Sequence, residues 1–212
     1  MSKKPYISPR KSKQKTPRPV VIIVCDAKKT EPIYFSHFKN KKRDKLIDVK
    51  VVKSAAGKSY DAIIKKAIES AKGVEGKCTV WCVSDTDVNH NIPNAMDAKN
   101  KQLKKYVEDA KKHGFEIALS NPCFEFWFLL HFTYTAANLK DYNAVVNELV
   151  AYLPDYQKNS DVYDKLSNRQ TTAIDNAKKL RRHYEEEQKT PNLWDVSVNP
   201  YTDVYRLVES LT

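Results

Sequence analysis

The segment Pro19–Cys25, P-V-V-I-I-V-C, constrains this chain more than any other. Val20–Cys25 is its longest uninterrupted apolar run, six residues and mostly β-branched. It reads as a short central strand buried on both faces. The chain downstream supplies covering layers in regular alternation. Thr30–Phe38 sets Ile33, Tyr34 and Phe38 on one face of a short helix capped by Thr30. Ile47–Lys53 alternates like a half-buried strand. Tyr60, Ile63, Ile64, Ala67, Ile68 and Ala71 follow helical spacing. Cys78–Ser84 reads as a buried strand, and Leu103, Tyr106, Val107 and Ala110 as the stripe of a third helix. Phe115–Leu119 reads as a fourth strand. Phe124–Phe132, apolar nearly all round, predicts a buried helix.

Strands alternating with helices predict an α/β fold, a mostly parallel Rossmann-like sheet with helices on both faces. After residue 135 the pattern turns helical. Tyr142, Val145, Val146, Leu149, Val150 and Leu153 form one stripe, and a charged helix spans about 169–187. Asn199-Pro200 predicts the start of a last helix, with Asn as cap and Pro in its first turn, and a stripe of Val204, Leu207, Val208 and Leu211. The expected organisation is a basic tail over 1–18, an α/β domain over 19–135, and a helical region over 136–212 packed on it.

Charge narrows the partners. Lys and Arg number 37 against 26 Asp and Glu, a net charge of +11. Residues 1–18 hold seven cations and no acid, so most of the excess sits on this tail. It reads as a flexible arm for a polyanion or as a solubilising segment. A membrane-spanning helix needs about 20 apolar residues, so none is expected, nor is a secretory signal. Four cysteines without a C-x-x-C pair point to reduced, buried thiols and a cytoplasmic setting.

In an open α/β sheet, ligands bind beyond the carboxyl ends of the strands. There the first strand delivers Asp26. The third delivers Asp85 and Asp87 as S-D-T-D. The fourth delivers Ser120 and Asn121, with Glu125 on the helix that follows. Magnesium binds through one or two carboxylates plus substrate phosphates. In an extended segment residues two apart face one way, so Asp85 and Asp87 are expected to share an ion. Such a cluster suits displacement at a phosphodiester. Without cations, four close carboxylates repel and take up protons. Taken one at a time, each acid also fits a turn or a surface pair.

Other motifs fall away. Ser54–Ser59, S-A-A-G-K-S, lacks the first glycine of a P-loop, because position 52 is valine. Lys58 and Ser59 rather open the next helix. Cys78 and Cys82 are a weak zinc-site candidate, and the five histidines show no H-x₃-H pattern. His90 lies just past the D-x-D and reads as a loop residue. Trp194 sits in a polar loop without an assigned role.

V-I-I-V-C-D-x-x-K-T-E-P-x-Y-F (Val21–Phe35), V-W-C-V-S-D-T-D (Val80–Asp87), S-N-P-C-F-E-F-W-F-L-L-H-F (Ser120–Phe132) and N-P-Y-T-D-V-Y-R-L-V-E (Asn199–Glu209) resemble RloB-like proteins. The resemblance runs over about residues 18–211. It implies a Toprim-like fold, as in topoisomerases, DnaG-type primases and OLD-family nucleases. It also implies a Mg²⁺- or Mn²⁺-dependent nuclease acting in bacterial anti-phage defence and abortive infection, controlled by an ABC-like ATPase encoded alongside. The D-x-D of that chemistry falls on Asp85 and Asp87, and its strand-end glutamate on Asp26. Here the sequence departs: the family's usual C-E-G is Cys25-Asp26-Ala27. Aspartate is one methylene shorter, and a displacement of about 1 Å costs roughly a hundredfold in rate. The departure implies a site that is weakened, retuned or dependent on Glu31 or Glu125.

The expected roles follow. Asp85 and Asp87 hold the metal. Asp26 is a ligand or general acid/base, and Glu125 a further ligand or proton carrier. Lys28 and Lys29, with Lys158 and Arg169 after them, meet the backbone of RNA or DNA, tRNA included. A homodimer is a further expectation, on the ground that Phe124–Phe132 is more apolar than one domain can cover. Three rival readings remain at this stage. One is an inactive Toprim-like subunit that regulates the ATPase or binds nucleic acid. The others are a receiver-like phosphoacceptor at Asp85 and a DNA-binding structural protein.

Overall fold

The computed structural model describes residues 17–41, 48–53, 59–88, 92–187 and 195–212. The expectations for the basic tail up to residue 16, for Lys58, His90 and Trp194 lie outside these residues. The first strand, β1 (Val20–Cys25), is buried along its whole length. Helix α1 (Thr30–Lys41), strand β2 (Asp48–Lys53), helix α2 (Tyr60–Ala71) and strand β3 (Cys78–Asp85) follow. Helix α3 (Ala95–Lys112), strand β4 (Glu116–Asn121) and helix α4 (Glu125–Leu130) complete the alternation. Then come α5 (Tyr142–Leu149), α6 (Tyr163–Leu166), α7 (Gln170–Glu186), strand β5 (Tyr201–Thr202) and α8 (Val204–Leu211).

The sheet has the order β2-β1-β3-β4-β5. Its first four strands are parallel, and β5 pairs antiparallel with β4. The fold is thus α/β and Rossmann-like, as the alternation predicts. Strand periodicity divides the core in two. Val20, Ile22 and Val24 of β1 pack with Val80, Cys82, Ile117 and Leu119 against α2 and α3. Val21, Ile23 and Cys25 pack with Trp81, Val83 and Ala118 against α1, α4 and the helices after residue 139. Leu149, Leu166, Leu180 and Leu207 belong to that second cluster, so the C-terminal region closes one face of the sheet.

The Phe124–Phe132 segment is absorbed in this way. Phe124, Phe126, Trp127, Phe128, Leu129 and Leu130 are each at most 1% exposed within the single chain. Trp127 Nε1 donates to Tyr34 Oη at 2.8 Å, and Tyr34 lies within 5.7 Å, ring to ring, of both Phe124 and Phe128. The segment from Phe124 to Leu130 is thus covered within the single chain, and Phe132 is partly buried against it. All four cysteines are free thiols, three buried and Cys78 half-buried. No helix among the described residues is long and apolar enough to cross a membrane.

The chain end corrects the sequence reading. Asn199-Pro200 does not open a helix. Tyr201 pairs with Asn121 and Thr202 with Ser120 as a two-residue edge strand. Helix α8 starts only at Val204, after Asp203. Its Val204, Leu207, Val208 and Leu211 are buried as the stripe predicts. The physical reason is pairing: β4 has an open edge, and Asp203 N donates to Leu119 O at 2.8 Å to hold the extended chain against it.

Asn121 ties these parts together. Its Nδ2 donates to Val196 O at 3.0 Å and Val198 O at 2.7 Å, and its Oδ1 accepts from Thr86 Oγ1 at 2.8 Å. Asn121→Ala should strand a hydroxyl and two carbonyls at about 1 kcal/mol or more each. Urea unfolding should show a loss of about 2–4 kcal/mol with an unchanged denaturant slope. A loss below about 1 kcal/mol would mean that water replaces the amide.

Candidate active site

The carboxyl edge of the sheet gathers the acids that the sequence places there. Asp26 follows the last residue of β1, and its N–H still donates to Val83 O of β3 at 3.0 Å. Asp85 is the last residue of β3. Glu125 opens α4, four residues past the end of β4. Asp26, Asp85, Asp87 and Glu125 all line one cavity of about 300 Å³, with Glu31 from the first turn of α1 among them.

Asp87 reaches the cavity by a route that strand alternation does not provide. Its φ is +48°, in the left-handed region, so the segment past Asp85 is not extended. Thr86 N donates to Ser120 O at 2.9 Å and Asp87 N to Pro122 O at 3.4 Å, which carries the loop over the end of β4. Aspartate tolerates this backbone better than most residues because its short side chain bonds locally. Asp87 is exposed, whereas Asp85 is half-buried.

Glu31 is only 1% exposed and Glu125 3%. Burial is the main force that pushes the Glu31 carboxyl up to about 8. The Glu125 and Asp26 charges push the same way, and backbone N–H groups of Glu31 and Ala27 only partly offset them. Asp85 is held well above the usual carboxylate range, by burial first and then by Glu31, Glu125 and Asp87. Glu31 is thus the charge that weighs most on Asp85. Glu31 Oε2 and Asp85 Oδ1 are both sealed from solvent without a hydrogen-bond partner among the described residues.

The C-terminal region supplies the opposite wall. Tyr156 Oη donates to Glu125 Oε1 at 3.0 Å. Tyr142, Lys158 and Asn159 line the cavity, with Lys158 Nζ 4.7 Å from the Tyr142 ring centre. Tyr60 Oη donates to Asp85 O at 3.0 Å from the α2 side. Among the basic candidates, Lys28 and Lys158 line the cavity. Lys29 is exposed and outside the lining. Arg169 lies elsewhere, its guanidinium 5.3 Å from the Phe132 ring centre. Tyr156 carried no sequence signal, since it sits in an irregular segment. Glu31 was marked only by the T-E-P-x-Y-F motif.

The five carboxylates offer oxygen donors, which suit a hard divalent cation, while burial pushes the Cys123 thiol in the same lining well above its ordinary range. The two partnerless buried oxygens fit the same demand, since a cation would satisfy them without protonation. No group of three or more His, Cys, Asp or Glu among the described residues is set to enclose an ion as the side chains stand. The arrangement fits magnesium held through one or two carboxylates and completed by substrate oxygens, rather than a closed protein cage.

The model of the RloB-like protein family matches residues 21–211. No curated protein and no solved structure matches the chain.

The raised Glu31 pKa sets a pH dependence. Below its ordinary value of 4.5 both folded and unfolded chains hold the proton. Between 4.5 and about 8 only the folded state keeps it, so stability falls as pH rises, and above about 8 the loss is complete. In metal-free buffer Glu31 alone should lower the unfolding free energy by up to ~1.4 kcal/mol per pH unit over that window, and Asp85, raised as well, adds a slope of the same sign. Glu31→Gln should make the slope clearly shallower without abolishing it and be more stable than wild type at pH 8. A wild-type slope in the variant would place the titration on another group.

Proposed function

Because the chain belongs to the RloB-like protein family, we propose that it is a metal-dependent nuclease of Toprim type, hydrolysing phosphodiester bonds in RNA or DNA. The observation that carries this reading is the convergence of five carboxylates from four chain segments on one cavity, two of them with a buried, partnerless oxygen. Burying acids together in this way is costly in a structure that does not use them.

Asp85 would hold Mg²⁺ or Mn²⁺, with Asp87, Asp26 and Glu31, which line the same cavity, as further ligands. Bound there, the ion supplies positive charge to the phosphate oxygens and lowers the pKa of an attacking water. Glu125, whose Oε1 accepts from Tyr156 Oη, would be a further ligand or a proton carrier. Lys28 and Lys158 orient the phosphate backbone from opposite walls. The family resemblance extends the proposal to a defence effector that an ABC-like ATPase restrains and releases.

One feature favours a second reading, a Toprim-like subunit that regulates the ATPase without cutting. Asp26-Ala27 stands where the family usually has Glu-Gly.

Purified protein given plasmid DNA, single-stranded DNA or total bacterial RNA should cut at least one of them with Mg²⁺ or Mn²⁺ and none with EDTA. Asp85→Asn should lower the rate at least about a hundredfold. Glu31→Gln should be at least as damaging as Asp26→Asn. Metal should raise the melting temperature of wild type and leave Asp85→Asn unmoved. No cutting with or without an ATPase, together with no metal-induced shift, would leave the regulatory reading.

A further inference from the structure

A second cleft, of about 500 Å³, opens at the other end of β4. Its lining includes Glu116 and Ile117, the first two residues of that strand, the carboxyl end of α3, and Arg181 and Arg206 from α7 and α8. β4 is six residues long, so at about 3.3 Å per residue the cleft lies roughly 15–20 Å from the Asn121 end. None of its lining residues lines the carboxylate cavity.

The floor is apolar: Val107, Ala110, Phe115 and Ile117. Phe115 stacks on His113, with ring centres 5.4 Å apart. The rim is cationic. Arg206 donates through Nη2 to Glu116 Oε2 at 2.9 Å, and its guanidinium lies 5.5 Å from the Trp81 ring centre. Arg181 donates through Nε to Glu185 Oε1 at 2.8 Å and through Nη1 to Tyr205 Oη at 3.4 Å. A guanidinium carries five N–H donors, so both arginines keep donors beyond these bonds. Lys111 lines the cleft and forms no ion pair among the described residues.

The acids of the lining are engaged. Glu116 accepts from Arg206, and Asp203 accepts from Tyr201 Oη at 2.8 Å. A volume in the range of small-molecule pockets far exceeds the needs of one inorganic anion. An apolar floor beside three cations matches a flat ring joined to a phosphate, the latter held by charge-assisted bonds. We propose that this cleft binds a nucleoside phosphate, with the ring on Phe115 and Ile117 and the phosphate between Arg181, Arg206 and Lys111.

Isothermal titration calorimetry of the full chain tests it, with the mono- and triphosphates of adenosine and guanosine as probes and the free nucleosides and inorganic phosphate as controls. At least one nucleotide should bind at one equivalent per chain, tenfold or more tighter than its nucleoside or phosphate. Arg206→Ala should weaken binding at least tenfold. Because that variant also breaks the Glu116 pair, Lys111→Glu at an exposed position serves as the second, expected to weaken binding threefold or more. Asp85→Asn should bind like wild type. Four outcomes overturn the proposal: no saturable binding, binding indifferent to both cleft variants, phosphate binding as tightly as the nucleotide, or binding lost in Asp85→Asn.

Discussion

The Asn121 carboxamide holds the molecule's working edge together. It joins Thr86, the residue between Asp85 and Asp87, to the end of β4 and to the carbonyls of Val196 and Val198. Ser120 Oγ and Thr202 Oγ1 share a hydrogen bond at 2.9 Å beside it. A buried amide must find partners for both its ends, and here those partners come from two distant segments. Together with the backbone bonds of Thr86 and Asp87 to Ser120 and Pro122, this side chain fixes the D-x-D loop against the end of β4. It also supports the docking of the final strand, which the β4 pairing makes part of the sheet.

The same edge collects an electrostatic debt. Three parallel strands end side by side, and each turn after them brings an acid, so desolvation and mutual repulsion act on the same groups. Protons relieve this, and burial together with the neighbouring acids raises both the Glu31 and the Asp85 carboxyl. A cation would relieve it without protons. The helix dipole of α1 favours a negative Glu31 in its first turn, yet burial outweighs that contribution. The site thus prefers neutrality by either means, and the identity of the neutralising species decides how many carboxylates are ionised.

Much of this was legible in the sequence because it rests on periodicity and on strand ends. The β1 run, the α2 stripe and the arrival of Asp26, Asp85 and Glu125 at one edge need only local pattern and the rule that α/β ligands sit past the strands. What escaped depends on partners distant in sequence. The left-handed Asp87 follows from hydrogen bonds to β4. The extended Tyr201–Thr202 follows from an open strand edge 80 residues earlier, which outcompeted a good helix-start pattern at Asn199-Pro200. Tyr156 lies outside any periodic element, so nothing local announces its bond to Glu125. The apolar excess of Phe124–Phe132 looked like an interface because the sequence cannot show α5 and α7 folding over it.

Glu31 and Asp26 line the same cavity from different elements. Asp26 remains tied to the strand ladder through its N–H bond to Val83, and its short side chain leaves it at the cavity wall. Glu31 starts from a helix that faces the same space, and its longer side chain is buried beside Asp85. An aspartate at the strand end shortens one arm of the carboxylate set, and the chain already holds a second arm, one methylene longer, aimed at the same place. Burial and mutual repulsion therefore act most strongly on Glu31 and Asp85, the two acids of the cavity whose carboxyls are raised, and a rule that looks only at strand ends finds one of them and passes over the other.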